Sequence, residues 1–181
     1  MKFVETAVAG AWLVELEPLV DHRGFFARVW SDDAFAERGL TTRFVQCNTA
    51  YSQRAGTVRG LHYQVQPFAD AKLIRCIRGA VFDVIVDVRP ESPTYLRWWG
   101  VKLSEDNRRL LYVPPGCAHG YQALCDDTEV MYPVSAPYAA SAERGVRWDD
   151  PLFGIEWPDT VDRLVSAKDA AWPDFVPGGQ V

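Results

Sequence analysis

The sequence lacks an excess of positive charge, and it lacks a long apolar run. Its 181 residues include 19 Lys and Arg against 24 Asp and Glu, which gives a net charge of −5. A nucleic-acid surface needs clustered cations, so this balance argues against a DNA or RNA partner. Glu5, Glu15 and Glu17 break the apolar N-terminal run, which therefore predicts neither a signal peptide nor a membrane-spanning helix. We expect a cytoplasmic protein with no membrane partner.

Cysteine pairs of the CxxC type are also missing. The four cysteines are Cys47, Cys76, Cys117 and Cys125. Scattered cysteines in a reducing compartment are more often buried free thiols than disulfides. Aromatic residues, in contrast, are plentiful at 13%. Flat rings suit either a β-rich core or a pocket that stacks a base or a sugar, and composition leaves both interpretations open.

Short β-rich runs separated by turn residues dominate the chain. The clearest are KLIRCIR (72–78) and AVFDVIVDV (80–88). Alternation in the second run puts Asp83, Ile85 and Asp87 on one face and four apolar side chains on the other. Such a pair of runs is typical of two neighbouring antiparallel strands.

The remaining segments extend the β-rich pattern. Further strands are predicted at 44–48, 58–64, 98–103, 109–113, 120–124 and 128–134. One short helix is predicted over 31–38, where Ser31 can cap the start and Gly39 can end the helix. No repeat or linker divides the chain, so we expect one domain over 1–181. Many short strands in one domain predict an all-β sandwich or barrel, of which the jelly roll is a common form.

Histidine is scarce, with only His22, His62 and His119. A histidine is the natural proton shuttle near neutral pH. His62 lies in the strand-like run RGLHYQ, and His119 follows a PPG turn where the mouth of a barrel would open. Lys72 would face the barrel interior together with Ile74, which is unfavourable unless the lysine meets an oxyanion.

A β-barrel that contains histidines raises the alternative of a metal-dependent cupin. Such sites usually take two histidines from one strand as HxH, a nearby carboxylate and a third histidine. Gln64 stands where the second histidine would follow His62, so the pair is missing. We therefore expect no metal.

Seven sequence features follow one another along most of the chain. They are DHRGFF (21–26), TVRGLHYQ (57–64), KLIRCIRGAVFDVIVDVRPESPTY (72–95), PPGCAHGY (114–121), Tyr132, RGVRWDDPLFGIEWP (144–158) and SAKD (166–169). In this order they resemble the dTDP-4-dehydrorhamnose 3,5-epimerase family. Ordered agreement over so many blocks is far more specific than any single motif.

The resemblance implies a cupin-type jelly roll, a homodimer that exchanges N-terminal strands, and no cofactor. It implies epimerisation at C3, C5 or both of a nucleotide-diphosphate 4-keto-6-deoxy sugar, with dTDP-4-dehydro-6-deoxyglucose as the expected substrate.

The resemblance also implies roles for individual residues. His62 would remove the proton next to the ketone, with Asp169 to orient it. Tyr132 would return a proton on the opposite face, and Lys72 would stabilise the enolate oxygen. The expected substrate-binding residues are Arg23, Arg59 and His119 for the diphosphate and sugar, Tyr138 for the base, and Phe26, Gln46, Asn48, Glu143 and Lys168 around them.

These residue types suit the chemistry independently of the family. A ketone at C4 acidifies the protons on C3 and C5. Removal of either proton needs a base that works near neutral pH and a cation or donor at the enolate oxygen. Inversion then needs a second acid on the other face of the sugar.

The sequence departs from the family motifs at several positions. Arg28 stands where the family commonly has a carboxylate, Cys117 and Tyr121 replace two Phe, and Cys47 lies in the middle of a usual QDN. Arg28 is included in the predicted substrate site, where a guanidinium donates hydrogen bonds and favours phosphate or carbonyl oxygens. It would shift the preference away from the usual dTDP-hexose, unless it points to solvent or pairs with an Asp.

A geometric difficulty concerns the run that contains His62. Strict alternation would place Arg59 and His62 on opposite faces of their strand. Either a bulge at Gly60 re-aims one of them, or Arg59 reaches the site from the end of the strand.

Three alternatives to the epimerase remain at this point. One is a nucleotide-sugar keto-isomerase, and another is a metal-dependent cupin enzyme. The third is a non-catalytic sugar-nucleotide binding protein. A binder has no need of an opposed acid and base, so His62, Lys72, Tyr132 and Asp169 together argue against the third.

Overall fold

The structure, a computed structural model, describes residues 1–178 and consists mainly of two facing six-stranded layers. The first sheet has the strand order β1-β2-β10-β7-β12-β5, with every neighbouring pair antiparallel. Its strands are β1 (Lys2–Glu5), β2 (Trp12–Glu15), β5 (Gln46–Ser52), β7 (Lys72–Arg78), β10 (Leu110–Val113) and β12 (Thr128–Val134). Antiparallel neighbours distant in sequence are typical of a jelly roll.

The second sheet has the order β13-β6-β11-β8-β9, and the short β14 pairs with β6 in parallel. Its strands are β6 (Thr57–Gln64), β8 (Ala80–Asp87), β9 (Trp98–Ser104), β11 (Cys117–Ala123), β13 (Glu143–Gly145) and β14 (Leu164–Val165). The predicted all-β jelly roll, of the double-stranded β-helix type, is confirmed.

The main apolar core lies between the two sheets. Ile74 from β7 and Ile85 from β8 are both fully buried there. The other face of β8 contributes Val84 and Val86 to a second cluster, covered by the chain around Phe153. The predicted alternation along 80–88 is therefore confirmed, and both faces of this strand are buried.

Several predicted boundaries are confirmed, while others shift. The strands at 72–78 and 128–134 have the predicted limits, whereas β5 begins at Gln46 rather than at residue 44. The helix predicted over 31–38 is shorter, α1 (Asp32–Ala36), with Ser31 at its N-cap but no side-chain capping bond. A second short helix, α2 (Ala167–Ala170), follows β14. Strands β1 to β4, β13 and β14 were not predicted, because each has only two to four residues.

A two-stranded hairpin projects from the body of the protein. It consists of β3 (Leu19–Asp21) and β4 (Gly24–Phe26), and it forms a separate small sheet. Apolar side chains on it are unusually exposed, 76% for Val20 and 66% for Phe26. Among residues 1–178, the Val20 and Phe26 side chains are left open to solvent.

All four cysteines are free thiols, as expected. Cys76 and Cys117 are buried, but Cys47 and Cys125 are exposed, so the expectation of burial was wrong for two of the four. Cys47 lies on β5, the edge strand of the first sheet, and Cys125 lies in the turn after β11. Among residues 1–178, no helix is long and apolar enough to span a membrane.

Candidate active site

A cavity of about 660 Å³ opens between the two sheets. Its walls combine polar side chains from β5, β6, β7, β11, β12 and β13 with the α2 segment. The predicted site residues among its lining are Gln46, Asn48, Arg59, His62, Lys72, His119, Tyr132, Tyr138, Glu143, Lys168 and Asp169. Eleven of the fourteen predicted residues therefore meet in one place, although 123 positions separate the first from the last along the chain.

The predicted base and its orienting carboxylate are in direct contact. The distance from His62 Nε2 to Asp169 Oδ1 is 2.6 Å. Asp169 Oδ2 accepts a hydrogen bond from the Gly60 amide at 3.2 Å, and the Asp169 amide donates to Ser166 Oγ at 3.0 Å. Ser166 thus caps α2 and fixes the carboxylate beneath the imidazole.

The electrostatics of Asp169 favour its ionised form. Burial acts to raise the pKa of Asp169, but the hydrogen bond and charge of His62, with the Gly60 amide and Ser166, hold that pKa below its usual value. An ionised carboxylate only accepts hydrogen bonds, so His62 Nε2 carries the proton between them. The other ring nitrogen, Nδ1, is then the one that can accept a proton.

A bulge at Gly60 resolves the difficulty with alternation on β6. His119 pairs with His62 and Tyr121 with Arg59, so two residues of β6 oppose one residue of β11. Gly60 has a φ of +97°, and a Cβ there would lie 2.6 Å from the His119 carbonyl oxygen. Only glycine fits both requirements. Of the two alternatives, the structure shows the bulge at Gly60, and both Arg59 and His62 line the cavity.

A second His–Asp pair lies beside the first. His119 Nε2 is 2.9 Å from Asp83 Oδ1 and 3.1 Å from Asp83 Oδ2. Asp83 is fully buried, and this burial raises its pKa, although His119 opposes the shift. The alternation pattern had placed Asp83 on the same face as Ile85 and Asp87, but without strand pairing nothing indicated its contact with His119.

Lys72 reaches the cavity from the first sheet. Its Nζ lies 3.1 Å from Asp70 Oδ2, and both side chains are nearly buried. A lysine inside the barrel was expected to need an oxyanion, and Asp70 supplies one within the chain. Asp70 was missed, although it lies two residues before Lys72, the spacing that puts both side chains on one face of an extended chain.

Tyr132 faces the cavity from β12, on the sheet opposite His62. Burial raises the pKa of Tyr132, while nearby Arg59 acts to lower it. The phenol therefore keeps its proton at neutral pH and can donate it. Asn48 pairs with Tyr132 across β5 and β12.

The cavity mouth is built around Glu143. This carboxylate accepts hydrogen bonds from Lys168 Nζ at 2.6 Å and from the Tyr138 hydroxyl at 2.9 Å. Burial acts to raise the pKa of Glu143, but these two partners hold it below its usual value. Gln46 Oε1 accepts from the Tyr138 amide at 3.0 Å. Tyr138 is left largely exposed at the rim, at 62%.

Three predicted site residues lie elsewhere. Arg23, Phe26 and Arg28 belong to the projecting hairpin and the segment just after it, and none of them lines the cavity. Arg23 pairs with Asp21, and Arg28 is exposed. A single chain therefore does not bring them to the site.

Sequence reasoning also missed residues that line the cavity. Tyr121 was noted only as a departure from a motif, and Gln64 only as a missing histidine. Gln64 holds the rim in place, because its side chain accepts from the Ala139 amide at 2.6 Å and donates to the Phe68 carbonyl at 2.9 Å. Within residues 1–178, no three His, Cys, Asp or Glu side chains are grouped so as to hold a metal ion.

Comparisons with known proteins agree with this geometry. The family model of dTDP-4-dehydrorhamnose 3,5-epimerase matches residues 5–176. A dTDP-4-dehydrorhamnose 3,5-epimerase of Sinorhizobium fredii is 44% identical over 97% of this chain and 90% of its own length.

Two crystal structures are similar in both fold and sequence. A dTDP-4-dehydrorhamnose 3,5-epimerase from Bacillus anthracis, with TDP and PPi bound, has a TM-score of 0.91 and 44% identity over 96% of this chain and 99% of that one. The Legionella pneumophila dTDP-6-deoxy-D-glucose-3,5-epimerase, in complex with dTDP-4-keto-L-rhamnose, has a TM-score of 0.88 and 37% identity. That match covers 94% of this chain and 90% of the other.

Proposed function

This chain belongs to the dTDP-4-dehydrorhamnose 3,5-epimerase family and epimerises a nucleotide-linked 4-keto-6-deoxy sugar, and we propose that His62, Lys72, Tyr132 and Asp169 perform the reaction. The relatives favour the epimerase over the keto-isomerase, the metal-dependent cupin and the non-catalytic binder. The proposed substrate is dTDP-4-dehydro-6-deoxyglucose, because the similar structures hold TDP or a dTDP-linked 4-keto sugar.

The observation that carries the proposed mechanism is the placement of acid and base on opposite sheets. His62 Nδ1 removes the proton from the carbon next to the ketone, and Asp169 stabilises the imidazolium that forms. The electrons move into the ketone, and Lys72 stabilises the enolate oxygen. Tyr132 then returns a proton to the same carbon from the opposite face, which inverts the centre.

The sugar nucleotide is held by the other residues of the cavity. Arg59 and His119 would contact the diphosphate and sugar, while Tyr138 would stack on the base at the rim. Gln46, Asn48, Glu143 and Lys168 would complete the mouth. These are the residues predicted from the sequence, and their common location supports the assignment.

Solvent exchange tests the mechanism. In D₂O, NMR of dTDP-4-dehydro-6-deoxyglucose with wild-type protein should show deuterium at C3, at C5 or at both, together with inverted product. Tyr132→Phe removes only a hydroxyl, so it should keep some exchange while losing inverted product. A normal yield of epimer from Tyr132→Phe would rule out Tyr132 as the acid. A product whose ketone has moved would contradict epimerisation.

The projecting hairpin supports a homodimer. Val20 and Phe26 are too exposed for an isolated chain, and a second copy related by two-fold symmetry would cover both hairpins at once. The same contact would bring Arg23, Phe26 and Arg28 of each chain toward its partner's cavity. Light scattering at micromolar concentration should give the mass of a dimer, and a stable monomer would contradict this.

Catalysis without a metal or other cofactor is also proposed. Lys72 supplies the positive charge at the enolate oxygen, and His62 and Tyr132 supply both proton transfers. Activity should survive exhaustive chelation, whereas its recovery on adding a divalent ion to a chelated, inactive protein would refute the proposal. The four free thiols suit the reducing cytoplasm, which is the proposed location.

A further inference from the structure

Tyr121 lines the cavity and carries a hydroxyl group that the mechanism above does not use. The residue lies on β11, two positions after His119, so both side chains point to the inner face of the second sheet. Its ring packs in the core cluster with Ile74 and Val130. Tyr121 is only 4% exposed and lines the cavity. The ring therefore belongs to the core, and the phenol is close enough to Arg59, which also lines the cavity, for that charge to act on the pKa of Tyr121.

This hydroxyl has no hydrogen-bond partner among residues 1–178. Ser52 is close enough to lower the pKa of Tyr121 as a hydrogen-bonding neighbour, but its distance and angle to the phenol are not those of a well-formed hydrogen bond. The Ser52 hydroxyl instead accepts from Arg59 Nε at 3.2 Å. A buried polar group without a partner costs about 1–3 kcal/mol, and native proteins contain few of them. An unpaired hydroxyl at a ligand cavity is therefore suited to pair with the ligand.

The hydroxyl is a neutral group. Burial raises the pKa of Tyr121 to about 12, with nearby Arg59 acting in the opposite direction. At neutral pH it is thus one donor and one acceptor, which matches a sugar hydroxyl better than it matches a charged phosphate.

The position on the second sheet excludes Tyr121 as the inverting acid. Strand β11 pairs with β6, and Tyr121 is opposite Arg59 in that register, close to His62. A proton delivered from this sheet would return to the face from which His62 removed it. The configuration would then be restored, so the hydroxyl serves to bind the sugar and not to protonate it.

We propose that the Tyr121 hydroxyl hydrogen-bonds to a hydroxyl oxygen of the hexose and thereby selects sugars that keep this hydroxyl. The inference rests on the proposed function, because it assumes that the hexose lies between His62 and Tyr132. A sugar that lacks the hydroxyl would leave the buried phenol unpaired, and sites of this kind reject such analogues strongly.

The test pairs one enzyme variant with two substrate variants. Wild type and Tyr121→Phe are compared on dTDP-4-keto-6-deoxyhexose and on its 2-deoxy and 3-deoxy analogues, with kcat/KM for deuterium exchange at C5 as the readout. Wild type should prefer the full sugar over one of the analogues by about 10- to 100-fold. Tyr121→Phe should lose most of that preference, because its ring cannot pair with the hydroxyl. Affinity for dTDP alone should be unchanged.

Tyr112→Phe is the matched control. Tyr112 is also a buried tyrosine of the core, but its hydroxyl accepts from the Thr41 amide at 3.2 Å, outside the cavity. This variant should lower the melting temperature and leave the preference among sugars unchanged. Tyr121→Phe should keep the melting temperature of wild type, since no hydrogen bond within the chain is lost.

Two results would overturn the proposal. One is an equal preference among the three sugars in wild type and Tyr121→Phe, which is the result expected if a water molecule or Ser52 satisfies the hydroxyl. The other is a loss of affinity in Tyr121→Phe that is equal for dTDP and for the sugar nucleotide. That result would mean that the hydroxyl contacts the nucleotide and not the sugar. If wild type catalyses no exchange at all, the proposed function is refuted. Equilibrium binding of the same ligands to wild type and Tyr121→Phe would still test whether Tyr121 selects the sugar.

Discussion

The two His–Asp pairs lie side by side in the barrel, with His62 opposite His119 on adjacent strands, yet their surroundings differ. The His62 side chain is 34% exposed and meets a carboxylate that also accepts from the Gly60 amide. The His119 side chain is 8% exposed and meets the fully buried Asp83. Accordingly the pKa of Asp169 is lowered by its hydrogen bonds, while burial raises that of Asp83.

The difference shows that residue types alone do not define a catalytic pair. A proton shuttle needs access to the substrate and a partner that stays charged, and the His62 pair has both. The His119 pair is more deeply buried, so it can position a ligand but is poorly suited to exchange protons with it. Four expected outcomes would separate the two pairs experimentally.

The largest difference should come from replacing the histidines. His62→Asn removes the base and should reduce deuterium exchange at both C3 and C5 on the order of 10²- to 10⁴-fold. His119→Asn should raise KM by roughly tenfold and preserve exchange at saturating substrate, since the asparagine amide can still donate. NMR in D₂O gives both values. Near-wild-type exchange by His62→Asn would show that His62 is not the base.

Replacing the carboxylates should give the next largest effect. In Asp169→Asn the amide can donate to Nε2, which would leave the proton on Nδ1, the nitrogen that must accept one. We expect kcat to fall on the order of 10²-fold or more. Asp83→Asn should lower kcat by less than roughly tenfold, because His119 transfers no proton in the proposed mechanism. Equal losses of kcat in Asp169→Asn and Asp83→Asn would contradict the proposal that only the His62 pair transfers protons.

The pH dependence of stability should have opposite signs for the two carboxylates. Folding lowers the pKa of Asp169. The free energy of unfolding of wild type should therefore exceed that of Asp169→Asn above the usual Asp pKa, and this difference should shrink as the pH falls. Asp83 has a raised pKa, so the advantage over Asp83→Asn is present at low pH and is lost as the pH rises. Urea unfolding between about pH 3 and pH 6 measures this, with slopes of at most about 1.4 kcal/mol per pH unit. Slopes of the same sign would contradict the assignment.

The smallest effect concerns the helix cap that only the His62 pair has. Ser166→Ala removes the acceptor for the Asp169 amide and should lower the free energy of unfolding by about 1 kcal/mol. A modest fall in kcat should accompany it, because the Asp169 carboxylate is then less firmly placed. Ser166→Thr keeps an oxygen at the cap and should restore both values. Loss of stability without any change in kcat would mean that the cap supports the helix alone.

Much of the site was predictable, because its motifs resemble those of a known family and most of them occupy strands with clear patterns. The runs 72–78 and 128–134 have the predicted limits and carry Lys72 and Tyr132. The SAKD block correctly indicated that Asp169 would meet His62. The bulge at Gly60 could be anticipated as well, since two polar residues of one strand had to reach the same cavity.

Other features depend on tertiary pairing and had no sequence signal. Asp83 contacts His119 only because β8 lies beside β11. Asp70 is a different case, because it lies two residues before Lys72 and shares its face of the extended chain. The unpaired hydroxyl of Tyr121 becomes evident only when its neighbours are known. Arg23 lies on the hairpin and Arg28 just after it, and neither lines the cavity, which only the tertiary structure reveals.

The link between His62 and Asp169 joins residues 107 positions apart, and this has a consequence for synthesis and damage. A ribosome makes the base, the enolate-stabilising lysine and the acid well before it makes the carboxylate that orients the base. A nascent chain that ends before α2 would have most of the cavity but no means of fixing the tautomer of His62. A proteolytic cut between β14 and α2 would return a mature molecule to the same condition. Such a fragment would still bind the sugar nucleotide but would turn it over poorly. An incomplete chain would therefore compete with complete chains for substrate.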